Sequence, residues 1–243
     1  SLNNLGFIAK TRGDLAEAER LQREGLAIKR EIGDRNGEAS SLIGLGNIAR
    51  TRGDLAEAER LYRECLAIAK EIGARQGEAS SLQNLGVIAY MRGDLAEAER
   101  LYRESLAIEE ISDRNEAGSL NNLGIIAQIR GDLAEAERFF RESLAIIREI
   151  GPRQSEATFL NNIGAMAQMR GDLAEAERLH RESLAITRES GDRLTTADSL
   201  TNLGLIMNSK GQHDEERRMY TEAVRIWREI GFPIDPWFIE NGY

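Results

Sequence analysis

The chain has 243 residues and a formal net charge of −9, which disfavours nucleic acid as a partner, because phosphate binding draws on concentrated basic charge. Three prolines and 5% aromatics stand against 41% hydrophobic and 30% charged residues, a balance that argues for long helices and against a β-sandwich. No segment approaches the ~18 consecutive apolar residues of a membrane span, and Cys65, the one cysteine, has no internal partner, which suits a reducing, cytoplasmic setting.

The tract Gly-Asp-Leu-Ala-Glu-Ala-Glu-Arg starts at Gly13, Gly53, Gly93, Gly131 and Gly171, and a degraded copy starts at Gly211. The intervals are 40, 40, 38, 40 and 40 residues. A fixed period of this length predicts a solenoid, in which each unit buries its apolar face against the next. The expected repeats run over about 1–33, 34–73, 74–112, 113–151, 152–191 and 192–231, with a cap over 232–243, all in one domain. Ser1 falls in the middle of a repeat, as expected for a piece of a longer protein, and its raw apolar end is a candidate surface for homo-oligomerisation.

Each repeat reads as helix, tight turn, helix. In the second, Leu42, Leu45, Ile48 and Ala49 form a helical stripe. Gly53 ends this helix in a left-handed conformation. Asp54 caps the next helix, and Glu57 is expected to reach back and complete a capping box. Leu55, Ala58, Leu61, Tyr62, Cys65, Leu66 and Ile68 supply its apolar face, and Gly73 closes it. Glu59 with Arg63, and Arg60 with Glu64, stand four apart and read as a solvated face laced by weak pairs. The fourth repeat begins two residues early, because Glu109-Glu110-Ile111-Ser112 and Asn115-Glu116 each lack one residue. A shortened second helix and a local change of curvature are expected there. At the C-terminus, Pro233 and Pro236 forbid a continuing helix, so Phe232, Trp237 and Phe238 are expected to fold back over the last pair.

A Leu-Gly pair, a glycine seven residues on, then alanine, an aromatic and a small residue recur through the copies. They are Leu45, Gly46, Gly53, Ala58, Tyr62 and Cys65, then Leu85, Gly86, Gly93, Ala98, Tyr102 and Ser105, then Leu123, Gly124, Gly131, Ala136, Phe140 and Ser143. This pattern resembles the tetratricopeptide repeat. Two departures stand out: leucine (Leu42, Leu82, Leu120) replaces the family's early tryptophan, and its closing proline is absent. The longer unit is similar to the 40-residue subclass of Leu-Gly-Asn repeat adaptors, kinesin light chains and bacterial tetratricopeptide regulators. The resemblance implies an all-α, right-handed α-solenoid of six antiparallel helix pairs. It further implies a non-enzymatic adaptor whose first helices line a concave groove for an extended peptide or a partner's helix.

Comparing the copies locates the variable positions. They are Asn3, Ile43, Gln83, Asn121, Asn161 and Thr201; Phe7, Asn47, Val87, Ile125, Ala165 and Leu205; Lys10, Arg50, Tyr90, Gln128, Gln168 and Asn208; and Thr11, Thr51, Met91, Ile129, Met169 and Ser209. These fall on a single face of the first helix, which the family resemblance makes the groove. Both a peptide-reading surface and neutral drift on a solvent face fit this pattern; residues such as Phe7, Val87 and Met91 favour the first. Beside it runs a row of Asn4, Asn84, Asn122, Asn162 and Asn202, interrupted by Gly44. Asparagine is a poor helix former, and its amide can donate and accept at once. The row fits either a ladder on a bound peptide's backbone or bonds between adjacent repeats.

Other signals are structural. The recurrent Arg-Gly-Asp is a helix end, a turn glycine and a cap. His180 occupies the aromatic slot, and His213 lacks ligand-type neighbours at metal spacing. No phosphate loop, nucleophile elbow or metal cluster appears, so no cofactor, metal or catalysis is expected. A structural spacer, or a self-assembly module that stacks through its ends, is the alternative to the peptide-binding scaffold.

Overall fold

The computed structural model describes residues 14–108, 112–151 and 153–243. Among them are twelve α-helices and one short 3-10 turn, and no strand. They are α1 (Leu15–Glu31), α2 (Arg35–Thr51), α3 (Leu55–Glu71), α4 (Arg75–Met91), α5 (Leu95–Leu106), α6 (Asp113–Arg130), α7 (Leu133–Ile150), α8 (Glu156–Met169), α9 (Leu173–Ser190), α10 (Arg193–Ser209), α11 (His213–Ile230) and α12 (Pro236–Glu240). From α2 to α11 they follow one another as antiparallel pairs. The chain divides into two compact units, residues 1–123 and 124–243.

The repeated tract builds the hairpin of each pair. Gly53 takes φ +82°, in the left-handed region that only glycine enters without strain. Its turn lets the amides of Gly53 and Asp54 bond the carbonyls of Arg50 and Ala49, each at 3.0 Å. Asp54 then accepts the Glu57 amide at 3.0 Å, and Asp94, Asp132 and Asp172 do the same in later copies. The reciprocal arm of the capping box does not form. The Glu57 carboxylate turns outward to Arg60 at 2.8 Å, because a guanidinium one turn away is a stronger partner than a neutral amide.

The Leu-Gly pair explains how the helices of a pair come together. A methyl group on Gly46 would lie 2.5 Å from the Tyr62 ring, and one on Gly86 would lie 2.6 Å from Tyr102. The bare backbone is therefore the seat of the partner helix's aromatic side chain, and Tyr62, Tyr102, Phe140 and Tyr220 are almost wholly buried there. One turn on, the small residue of the motif closes the same contact. Cys65, Ser105 and Ser183 each donate to a first-helix carbonyl, of Ala39, Ala79 and Ala157 respectively.

Two sets of ion pairs join successive repeats. Arg52, Arg92, Arg170 and Lys210, at the ends of first helices, pair with Glu19, Glu59, Glu137 and Glu177 of the preceding repeat. Lys70, Arg148 and Arg188, at the ends of second helices, reach forward to Glu104, Glu182 and Glu222 at 3.7, 3.0 and 2.8 Å. The expected four-apart pairs are present too, Arg63 with Glu59 at 2.6 Å and Arg60 with Glu64 at 3.1 Å. Arg23 and, from the next repeat, Arg52 hold the Glu19 carboxyl below its ordinary range.

The departures from the repeat are also visible. Helix α5 has 12 residues where α3 has 17; Glu109, Glu110 and Ile111, in the shortened junction, lie outside the described residues. At the C-terminus, Phe238 of α12 is buried against Tyr220 and Trp227, with ring centroids 5.3 and 5.2 Å apart. Tyr243 closes on Tyr220 at 5.1 Å.

Candidate functional site

In the first unit, α2 and α4 present the variable face. Between their N-terminal halves lies a depression of about 340 Å³ bordered by Ala39, Ser40, Ile43, Gln76, Gly77 and Ser80. Toward the other ends of these helices stand Arg50, Tyr90 and Met91. The Tyr62 side chain, threaded over Gly46 from the second helix, donates its hydroxyl to Asn47 Oδ1 at 2.8 Å. Burial pushes the Tyr62 phenol up and the nearby Arg50 guanidinium pulls it down. Arg50 is half-buried, and its Nε is closed off without an acceptor. Burial and then Tyr90 push the Tyr102 phenol up, with Arg50 again acting in the opposite sense.

Of the asparagine row, Asn84 and Asn122 belong to this unit and both are half-buried. Asn84 Nδ2 donates to the Ser80 carbonyl at 2.8 Å, within its own helix. That leaves its second N–H and its carbonyl oxygen for other use. Asn4 and Lys10, with Asn3, Phe7 and Thr11, lie outside the described residues.

In the second unit the corresponding residues come from α6, α8 and α10. Gln128 and Gln168 are half-buried, Asn208 is exposed, and Gln128 Nε2 lies 3.3 Å from Met169 Sδ. Asn162 and Asn202 are half-buried. Large apolar side chains stand open to solvent on these helices, with relative exposures of 52% for Ile129, 54% for Met169 and 43% for Leu205. Tyr90 at 39% and Met91 at 49% do the same in the first unit.

Not every variable position faces solvent. Asn161 is buried, with Oδ1 2.9 Å from His180 Nδ1 and Nδ2 donating to Ser199 Oγ of the next repeat at 3.0 Å. Gln83 likewise reaches forward, to the Asn115 carbonyl at 3.5 Å. These positions tie repeats together, and Asn162, beside Asn161 on the chain, is the more exposed of that pair. Sequence reasoning gave no signal for this, because a polar residue at a half-buried junction reads like one in solvent.

The opposite side of the first unit holds a larger depression, about 490 Å³, floored by Leu82, Leu85 and Ile88. Its walls include Glu59, Glu97 and Arg100, which are already committed: Glu59 to Arg63 and Arg92, and Arg100 to Glu97. Among the described residues no group of acidic, histidine and cysteine side chains is placed to hold a metal ion, and no helix is long and apolar enough to cross a membrane.

A family model described as Tetratricopeptide repeat matches residues 1–71, 53–111, 115–189 and 155–229. A search of the curated proteins found no match. Among solved structures, the chain is similar to BtubC (BKLC) from P. vanneervenii, with 21% identity and a TM-score of 0.74 over 91% of this chain and 94% of that one. It is also similar to the APC/C hetero-tetramer Cut9-Hcn1, with 16% identity and a TM-score of 0.75 over 93% of this chain and 39% of that one. A kinesin light chain with nearly identical tetratricopeptide-like repeats, from Podosopora anserina, matches with 19% identity and a TM-score of 0.59 over 78% of this chain and 95% of that one. At these identities the likeness shows the fold, an α-solenoid of helix pairs.

Proposed function

Because the chain belongs to the tetratricopeptide repeat family, whose repeats in general mediate protein–protein interactions, we propose that it is a non-enzymatic scaffold holding an extended peptide or a partner's helix against its first helices. One observation carries this reading. Tyr90 and Met91 in one unit, and Ile129, Met169 and Leu205 in the other, are large apolar side chains left in solvent at variable positions of first helices whose leucine stripes, such as Leu82 with Leu85 and Leu200 with Leu203, are buried. Such exposure is costly unless a partner covers it. The half-buried amides of Asn84, Asn122, Asn162 and Asn202 border this surface and supply backbone hydrogen bonds, while Arg50, Tyr90, Gln128, Gln168 and Asn208 supply selectivity.

The test is affinity capture from the source lysate, with this chain as bait beside Asn84→Ala/Asn122→Ala and Asn162→Ala/Asn202→Ala variants, all shown to be equally helical. A partner held by the parent and lost by either variant is the expected result. Equal capture by all three removes the asparagines from the interface. Capture of sister copies alone replaces the scaffold with a self-assembling spacer.

A further inference from the structure

We propose that Met169 is a reversible oxidation site, at which a hydroperoxide places oxygen on the sulfur and the Gln128 amide decides which of the two sulfoxide epimers forms. The methionines of the chain fall into distinct environments. Met166 and Met207 are buried, and Met219 is half-buried against the core of the last helix pair. Met91 and Met169 stand in solvent at equivalent positions of the third and fifth repeats, so a peroxide in water reaches these two first. They differ in one respect. Gln128 Nε2, from α6, lies 3.3 Å from Met169 Sδ at the end of α8, whereas among the described residues no donor is placed at the Met91 sulfur.

That contact gives the sulfur two unlike sides. A thioether has two lone pairs and is a weak acceptor; the Gln128 N–H lies on one of them, and hydrogen peroxide attacks through the other. The sulfur gives up an electron pair, the S–O bond forms as the O–O bond breaks, and the departing hydroxide takes the proton of the transferred oxygen and leaves as water. The product is chiral at sulfur, so shielding one lone pair makes one epimer in excess. A turn about the Cγ–Sδ bond then brings the new oxygen, a stronger acceptor than the sulfur it sits on, to the same amide. A reductase dithiol reverses the step: it is oxidised to a disulfide, and the oxygen leaves as water.

Met169 stands in the middle of the apolar side chains left in solvent in the second unit. Ile129 holds the equivalent position one repeat earlier on α6, and Leu205 lies one repeat later on α10. Oxidation sets a polar group in the centre of this row, which weakens an apolar contact made across it. That consequence for binding rests on the interaction reading above; the chemistry at sulfur does not.

The test oxidises this chain with limiting hydrogen peroxide. Sulfoxides are then mapped by mass spectrometry before and after each of the two epimer-specific methionine sulfoxide reductases. Met91 and Met169 should take up oxygen ahead of Met166 and Met207. The epimers at Met169 should be unequal by about threefold, as one weak hydrogen bond allows, and nearly equal at Met91. Gln128→Leu should keep its helicity and bring the Met169 epimers to near equality. Equal epimers in the unaltered chain, an excess that survives in Gln128→Leu, or oxidation of Met169 no faster than of Met166 overturns the proposal. Partner capture is then repeated with reduced chain, oxidised chain and oxidised Met169→Leu. Release by the oxidised chain and retention by oxidised Met169→Leu is the expected result. Equal capture by reduced and oxidised chain, or release by oxidised Met169→Leu as well, removes the switch at Met169 and leaves the scaffold standing. An epimer excess with no partner held by the reduced chain removes the scaffold and leaves the oxidation site standing.

Discussion

The second and fifth repeats share the tract that makes the turn, yet they send the polar end of one side chain in different directions. In the second, Tyr62 crosses Gly46 and delivers its hydroxyl to Asn47 and the Arg50 guanidinium on the variable face. In the fifth, the slot holds His180, whose Nδ1 contacts Asn161, and Asn161 leads on to Ser199 and Ser183 in the junction with the next repeat. His180 Nε2 is left without a partner. One framework thus turns its aromatic position either to the variable face or to cohesion between repeats, depending on the reach of a single side chain.

The largest way to break the comparison is to empty the slot. Tyr62→Ala should cost about 3–5 kcal/mol, as for other large buried rings, read from urea unfolding followed by circular dichroism. A loss under ~1 kcal/mol would mean that the ring is not the keystone of its helix pair.

Acid separates the two repeats next. Burial lowers the His180 pKa from 6.5 to about 4, so the folded chain excludes a proton that the unfolded chain accepts. Stability from this site is complete above pH 6.5 and is lost as pH falls from there toward 4, by up to about 3 kcal/mol. His180→Phe should flatten the profile in that window. An unchanged slope would assign the acid response elsewhere. The paired glutamates, such as Glu19 and Glu57, have lowered pKa values and give up their contribution at more acid pH, below their ordinary value of 4.5.

Gly46→Ala, which places a methyl group 2.5 Å from the Tyr62 ring, should destabilise by about 2 kcal/mol through overpacking. Removing only the hydroxyl, in Tyr62→Phe, should cost about 1 kcal/mol. The same change also frees Arg50 of its phenol neighbour, so its Nε–Hε resonance should move. The smallest effect belongs to the repeat junctions: Arg92→Ala breaks one exposed pair with Glu59 and should cost at most ~1 kcal/mol, less at high salt. A salt-independent loss would point to packing of the arginine stem instead.

Much of this was legible in the sequence because the motif residues act locally. Gly53 and Asp54 make their turn from bonds within five residues, and the aromatic slot holds Tyr or Phe in four of the six aligned copies. Fold-back of the C-terminal aromatics followed from two prolines and a stack that needs an end. Part of what escaped reading depends on partners more than thirty residues away. Glu59 has Arg63 at helical spacing, but nothing local announces Arg92. Asn161 and Asn162 are adjacent and chemically identical, yet the first is sealed into a junction and the second is half-buried. Glu57 carries the capping-box spacing, but Arg60 competes for its carboxylate and wins. On the candidate face, exposure of Met91, Ile129 and Met169 agrees with the variable positions, whereas the isolation of the Arg50 Nε is a property of three-dimensional neighbours alone.

The ion pairs between repeats carry a consequence for how such a chain can grow. At four joints among the described residues a cation at the end of one first helix meets a glutamate of the copy behind it, Arg52 with Glu19, Arg92 with Glu59, Arg170 with Glu137 and Lys210 with Glu177. These pairs repeat one chemistry from joint to joint, whereas the bond from Asn161 to Ser199 belongs to a single joint. A duplication in frame with the period inherits both halves of its connections at birth, so the gene can lengthen by copying without first evolving a new fit.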